Sequence, residues 1–274
     1  MIHNQTAIIQ PGTRGTKVGK IVLNIESQKD IQVESCTLLN VEDDPNFEIE
    51  PQDSKLRTHL EDWLDKKVAT LPTSMRVENA FEARVKPHPF INLLNYILLE
   101  SSGADIACTA LFDSAKGFDT DITMRDIINN YPFPNTFKVL EMSGNDIKRA
   151  IERSASYFDL HDNKISVSAD FLEPKPQHFN YDIFAGVHYT INVSRPYGER
   201  VSELSINGQP LDENKTYTIC VNNYRAVGGG NYDMYVDKTV VKDIQIDGAQ
   251  LLINYLSNND LSHIPQVVNF EVVK

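Results

Sequence analysis

Two segments of the chain carry side chains that could recognise a flat ligand. YPFPNT, residues 131–136, sets Phe133 between two prolines and two positions before Asn135. NNYRAVGGGNYDMY, residues 222–235, ends an apolar run with Asn222, Asn223 and Tyr224, then adds Gly228, Gly229 and Gly230 in a row. Proline fixes φ, so Phe133 has little entropy left to lose on binding, and glycine lets backbone approach a ligand closely. A purine wedged between two aromatic rings gains ~1–3 kcal/mol, largely regardless of which base it is. Amides from Asn135, Asn222 and Asn223 could then read ring edges or ribose hydroxyls. Residue types alone favour a plainer reading, with Phe133 and Tyr224 as ordinary core aromatics and the glycines as a flexible turn, and on that evidence both stay open.

Other chemistries find no candidate above background. A dinuclear hydrolytic centre needs several His, Asp and Asn side chains converging on two ions roughly 3.5–4 Å apart. His3, His59, His88, His161, His178, His188 and His263 are scattered singly, with no HxH or HExxH, so no catalytic metal site is expected. There is no GxSxG elbow for a serine nucleophile. Asp43-Asp44 and Asp119 with Asp121 read as solvated loop charges, because catalytic carboxylate pairs require burial and mutual placement.

Composition narrows the class further. A net charge of −12 disfavours a groove for a nucleic-acid polymer, whose phosphates are neutralised by many Lys and Arg, while leaving room for one small anion. Cys36, Cys108 and Cys220 lie in apolar runs without ligand spacing and read as buried thiols. No stretch approaches the roughly 18–20 apolar residues of a membrane span. The opening MIHNQTAIIQPG has no signal-peptide order and reads like the middle of a sheet domain behind a start codon.

The elements that must position these loops can be placed by periodicity. TAIIQ, GKIVLNI and IQVESCTLLNV read as strands, too few to be stable alone. Leu56, Leu60, Trp63, Leu64 and Val68 recur at helical spacing, which predicts an amphipathic connecting helix over 54–68. Phe90, Leu93, Leu94, Ile97 and Leu98 mark a second helix, and ADIACTALF a strand covered on both faces. Thr123 is placed to cap MRDIINN, and Ser143 with Asp146 to start a helix whose inner face is Ile147, Ala150, Ile151 and Ala155. TFKVLEM, AGVHYTINV, ELSING, TYTICVNNY and VVNFEVV are strand-like, Asn-Gly in LSINGQPLD signals a hairpin, and residues 248–257 form a last helix. Strands and helices without a regular βαβ rhythm predict an α+β fold.

The blocks TMRDIINNYPFPNTFKVLEMSGNDIKRAIERSASYF, KPQHFNYDIFAGVHYTINVS and LSINGQPLDENKTYTICVNNYRAVGGGNY resemble the C-terminal domain of the 5′-nucleotidase family. The bacterial 2′,3′-cyclic-nucleotide 2′-phosphodiesterase/3′-nucleotidase branch is the most similar. The resemblance covers about residues 76–274 and implies a mixed sheet with flanking helices. It implies that Phe133 and Tyr224 sandwich the base of a nucleoside or nucleotide, with Asn135 contacting base or ribose and Asn222, Asn223, Gly228, Gly229, Gly230 and Asn231 around it.

Residues 1–50 would then be the last strands of a metallophosphatase domain, 51–75 a linker helix about which the halves rotate, and 76–274 the substrate-binding domain. The resemblance implies two divalent metal ions and the catalytic residues in the missing N-terminal domain, so this chain alone would be inactive. It also implies an extracytoplasmic setting. ALFDSAKGF stands where 5′-nucleotidases proper have a glycine-rich loop ending in arginine, and Gly230-Asn231 where many have an acid. Lys116, Asp113, Arg125 and Arg225 are therefore only candidates for phosphate or ribose contacts, and His178 fits a structural role at least as well. Two other expectations compete: a nucleoside-binding module outside any enzyme, and a wall-associated structural domain that binds no nucleoside.

Overall fold

A computed structural model of the protein describes residues 1–4, 6–12, 15–27, 30–42 and 51–274. Asp43-Asp44 lies outside the described residues. The chain divides into two units, Met1–Thr58 and His59–Lys274.

In the first unit, strand Lys17–Ser27 pairs antiparallel with Asp30–Asn40, and Ile2–His3 with Thr6–Ala7. The long hairpin leaves Leu23, Ile25, Ile31 and Leu38 exposed. Cys36 is half-buried, so the expectation of three buried thiols holds for Cys108 and Cys220 alone. Two strands provide no second layer to close over a side chain.

The connecting helix runs Pro51–Leu64 and stops short of the predicted Val68. Lys67–Thr70 forms a strand instead, paired antiparallel with Asp121–Thr123. Pairing with a neighbouring strand satisfies the backbone there, and Val and Thr suit a pleated surface. Arg125 donates to Glu61 and Asp65, tying the end of the helix to the segment after that strand.

The second unit is built on a five-stranded mixed sheet in the order Asp182–Ala185, Ile106–Ala110, Thr216–Asn222, Phe137–Ser143, Val240–Ile244. Only the Ile106–Ala110 and Thr216–Asn222 pair is parallel. Every residue of Ile106–Ala110 is buried, as its unbroken apolar run requires. Helix Pro89–Ser102 lies against that strand and buries Phe90, Leu93, Leu94, Ile97 and Leu98. Pro89 opens it where a missing N–H costs nothing, and Gly103 at φ 71° closes it.

Helix Gly144–Ala155 starts at Ser143, whose hydroxyl accepts from Asp146 N, and buries Ile147, Ala150, Ile151 and Ala155. Thr123 and Asp126 form the full capping box of Met124–Asn130. A smaller sheet orders Gln209–Pro210, Val201–Ile206, His188–Asn192 and Phe270–Val273. Asn207 and Gly208 both take positive φ, the type I′ turn that Asn-Gly favours.

AGVHYTINV, expected as one strand, is split between the two sheets. Gly186 sits at φ 81°, where a Cβ would lie 2.0 Å from the Asp105 carbonyl oxygen, and it turns the chain from Asp182–Ala185 toward His188–Asn192. Strand Val240–Ile244 was not anticipated; its residues are mostly exposed, so burial left no alternation to read.

Candidate functional site

Strands Phe137–Ser143 and Thr216–Asn222 are antiparallel with Phe137 opposite Asn222. The 131–136 loop therefore enters the sheet at the end of the strands from which the 223–235 segment leaves, and Asn223 N donates to Thr136 O at 2.8 Å. Phe133 stands four residues before one partner and Tyr224 two residues after the other. Both rings are open to solvent, at 46% and 41% exposure, whereas Tyr131, Tyr232 and Tyr235 from the same segments are core. Phe133 is braced edge-on by Phe112, with ring centroids 5.0 Å apart, and Phe112 in turn meets Tyr131.

Tyr224 belongs to a one-turn helix, Asn223–Ala226, where the sequence suggested irregular loop. Its ring lies against the glycine run. A Cβ on Gly229 would sit 2.5 Å from Tyr224 Cε2 and 2.5 Å from its carbonyl oxygen, and one on Gly230 would meet Asn180 Oδ1 and the Arg225 guanidinium. Gly228 and Gly230 have φ of 86° and 77°. The glycines thus admit the protein's own groups into the space that a side chain would fill, not only the ligand foreseen from sequence.

The asparagines divide. Asn222 Oδ1 accepts from Arg225 N at 2.8 Å and caps the one-turn helix, so that oxygen is already used. Asn223 Oδ1 is buried and finds no hydrogen-bond partner among the described residues. Asn135 closes the turn through its N–H to Phe133 O, receives Gly248 N on its carbonyl, and leaves its side-chain amide without a partner among the described residues. Asn231 is exposed at φ 65°.

Arg225, a candidate for phosphate or ribose, has no donor to spare. Nε and Nη2 grip Asp182 at 2.7 and 3.1 Å, Nη2 also donates to Phe179 O, and Nη1 donates to Asn180 Oδ1 and Gly229 O. Arg225 and Asp182 are each 1% exposed. Burial pushes the Arg225 pKa down, but Asp182 outweighs it and the guanidinium is held charged. This buried, fully paired cation clamps the glycine run to the 179–182 segment. Arg125 is engaged by Glu61 and Asp65, Asp113 by Arg84, and Lys116 is exposed. His178 Nδ1 meets Tyr157 Oη at 2.6 Å inside the turn His178–Asn180, and burial followed by the nearby Arg84 lowers its pKa, which suits a structural histidine.

Beside Tyr224 opens a cavity of about 510 Å³. Gly230 and Asn231 line it together with Arg153, Phe171, Gln177 and Asn180, and Asp170 and Glu173 add two carboxylates. Sequence reasoning singled out none of those last six. Arg153 belongs to no motif of its own in the sequence, and Gln177 and Asn180 lie in KPQHFNYD, from which the sequence reading names His178 alone. Arg153 Nε donates to Gly230 O at 3.0 Å, Nη1 to Ser156 Oγ at 2.6 Å, and its guanidinium lies 4.6 Å over the Phe171 ring. Among the described residues no group of three or more His, Cys, Asp or Glu could hold a metal ion, so the donors present do not fit the two-metal centre implied by resemblance.

The sequence pattern that defines "5'-nucleotidase, C-terminal domain" matches residues 67–237, more than half of the chain. The chain belongs to the 5′-nucleotidase C-terminal domain family. A Staphylococcus aureus protein described as a "Putative 5'-Nucleotidase" and solved in complex with alpha-ketoglutarate is 65% identical to this family member, with a TM-score of 0.84, across 99% of this chain and 53% of that one. The 2',3'-cyclic-nucleotide 2'-phosphodiesterase/3'-nucleotidase of Salmonella typhimurium is 35% identical over 39% of this chain and 19% of its own length. That of Haemophilus influenzae is 28% identical over 68% of this chain and 31% of its own. This 5′-nucleotidase C-terminal domain thus spans about half of the solved relative and less than a third of these two curated ones. The α+β, mixed-sheet reading and the family reading both hold. No helix among the described residues is long and apolar enough to cross a membrane.

Proposed function

We propose that the unit His59–Lys274 is the nucleotide-recognising part of a phosphoesterase and holds a nucleobase between Phe133 and Tyr224. The observation that carries this reading is the opposition of Phe137 and Asn222, which brings the two loops to the same end of two neighbouring strands with both rings exposed. Exposed aromatics cost apolar hydration unless a partner covers them, and a flat base is such a partner. Asn135, whose side-chain amide has no partner among the described residues, and Asn231, exposed beside the cavity, are the side chains suited to base or ribose. The chain's own residues bind and orient, and remote binding of this kind positions a substrate without performing the chemistry.

Cleavage of the phosphoester belongs, on this reading, to two divalent metal ions in a preceding domain like that of the longer relatives. Residues 1–50 would be strands of that domain, consistent with the exposed apolar side chains of the long hairpin, and 51–75 the linker. The parent protein would act outside the cytoplasm. Titration calorimetry with adenosine, guanosine and 3′-AMP tests the recognition. Phe133→Ala and Tyr224→Ala are each expected to weaken binding about tenfold or more, from ~1–3 kcal/mol of stacking per base. Unchanged affinity in both variants would remove the sandwich. Metal-dependent turnover of a cyclic nucleotide by this chain would contradict the division of labour.

A further inference from the structure

We infer that the cavity beside Tyr224 reads the edge of the stacked base and selects oxopurines, guanine and hypoxanthine, over adenine, with Arg153 as the specificity-determining residue. The inference rests on base stacking at Tyr224.

Arg153 is fixed before any ligand arrives. Its Nε is tied to the Gly230 carbonyl and one Nη1 hydrogen to Ser156, while its plane rests over Phe171 at 4.6 Å and near Tyr232 at 5.7 Å. A guanidinium has five N–H hydrogens and accepts none, so about three remain for whatever enters. Arg153 lines the cavity together with Tyr224, Gly230 and Asn231, and on this inference those hydrogens face the ligand. Because Gly230 follows Gly229, against which Tyr224 packs, the tie to Gly230 holds Arg153 at the border of the ring platform.

Guanine and hypoxanthine present O6 and N7 side by side as two acceptors, which a guanidinium meets with two parallel N–H groups. Adenine presents N7 beside an amine, so one Arg153 hydrogen would face another donor. Asp170 and Glu173, acceptors only, line the same cavity and can take N1–H and, in guanine, the 2-amine; adenine carries no hydrogen on N1. A site built around such groups discriminates because the wrong base leaves them desolvated and unpaired. The same carboxylates argue against a phosphate as occupant: Arg153 would attract it, but two acids to one base leave the lining net negative.

The experiment is titration of the full chain with guanosine, inosine and adenosine, repeated for Arg153→Gln and Asp170→Asn. Guanosine and inosine are expected to bind about tenfold tighter than adenosine. Arg153→Gln should erase that preference by weakening guanosine and inosine far more than adenosine, with circular dichroism confirming its fold. Asp170→Asn, at an exposed position, should lower guanosine affinity several-fold on its own. Equal affinities for guanosine and adenosine in the unmodified chain, or a uniform loss for all three nucleosides in Arg153→Gln, would overturn the inference. If Tyr224→Ala still weakens every nucleoside, stacking survives and only the oxopurine selection falls. If no nucleoside binds at all, the stacking reading fails and this one with it.

Discussion

At the scale of single residues, Gly229 does the most with the least. Its missing Cβ is the space in which the Tyr224 ring and carbonyl lie, both 2.5 Å from where a methyl group would start. Gly229→Ala must therefore displace the ring or the one-turn helix that carries it. We expect ~1–3 kcal/mol of lost stability, the usual size of forced overpacking, and at least a tenfold loss of nucleoside affinity. Thermal melts and calorimetry would check both, and an alanine variant that matches the parent in each would show that the ring need not sit where it does. The glycine run was visible in sequence as a place of close approach, but what approaches was not. Tyr224 and Arg225 fold back on it from the adjoining one-turn helix, and Asn180 reaches it from the turn His178–Asn180, far away in the chain.

At the scale of elements, the turn His178–Asn180 is the joint that carries one wall of the cavity. Asn180 lines it, and His178 anchors the turn to Tyr157. Burial and the neighbouring Arg84 lower the His178 pKa from its ordinary 6.5. A lowered folded-state value means that the unfolded chain takes up the proton first as pH falls. The stabilisation is thus complete above about pH 6.5, the unfolded value, and is lost as pH drops through the folded one. The melting temperature should decline between pH 7 and pH 5, and His178→Gln should flatten that decline. An identical slope in the variant would mean that the turn does not depend on neutral His178.

Other elements were legible because their causes are local. The Asn207-Gly208 hairpin follows from φ preferences, and the Thr123 and Ser143 caps from hydroxyls meeting the first free N–H groups of a helix. The connecting helix was read four residues too long at its end, because Val68 continues its apolar spacing while the strand Lys67–Thr70 that contains it pairs with Asp121–Thr123, far along the chain.

At the scale of the molecule, the core belongs to the unit His59–Lys274, and the residues proposed for recognition all lie within it. A chain begun at Pro51 should fold with an unchanged main melting transition and bind nucleosides within about twofold of the 274-residue protein. Excess EDTA should change neither, because the described residues offer no cluster for a metal. Loss of nucleoside binding on removing residues 1–50 would show that the first unit contributes to the site, and sensitivity to chelation would reveal a metal ligand set that the described residues lack.

Periodicity, capping residues and turn chemistry by themselves determined the α+β class, most of the helices and the identity of the two loops. Each of these reports on neighbours a few positions away, where backbone geometry leaves few choices. Only the tertiary structure decided which of their side chains are free to act. It exposed Phe133 and Tyr224, consumed Arg225 in a buried pair with Asp182, and brought Arg153, Phe171 and Gln177 to the border of Tyr224. Those outcomes depend on strand order and on which groups meet after long stretches of chain have folded back, and no local pattern of residues encodes that meeting.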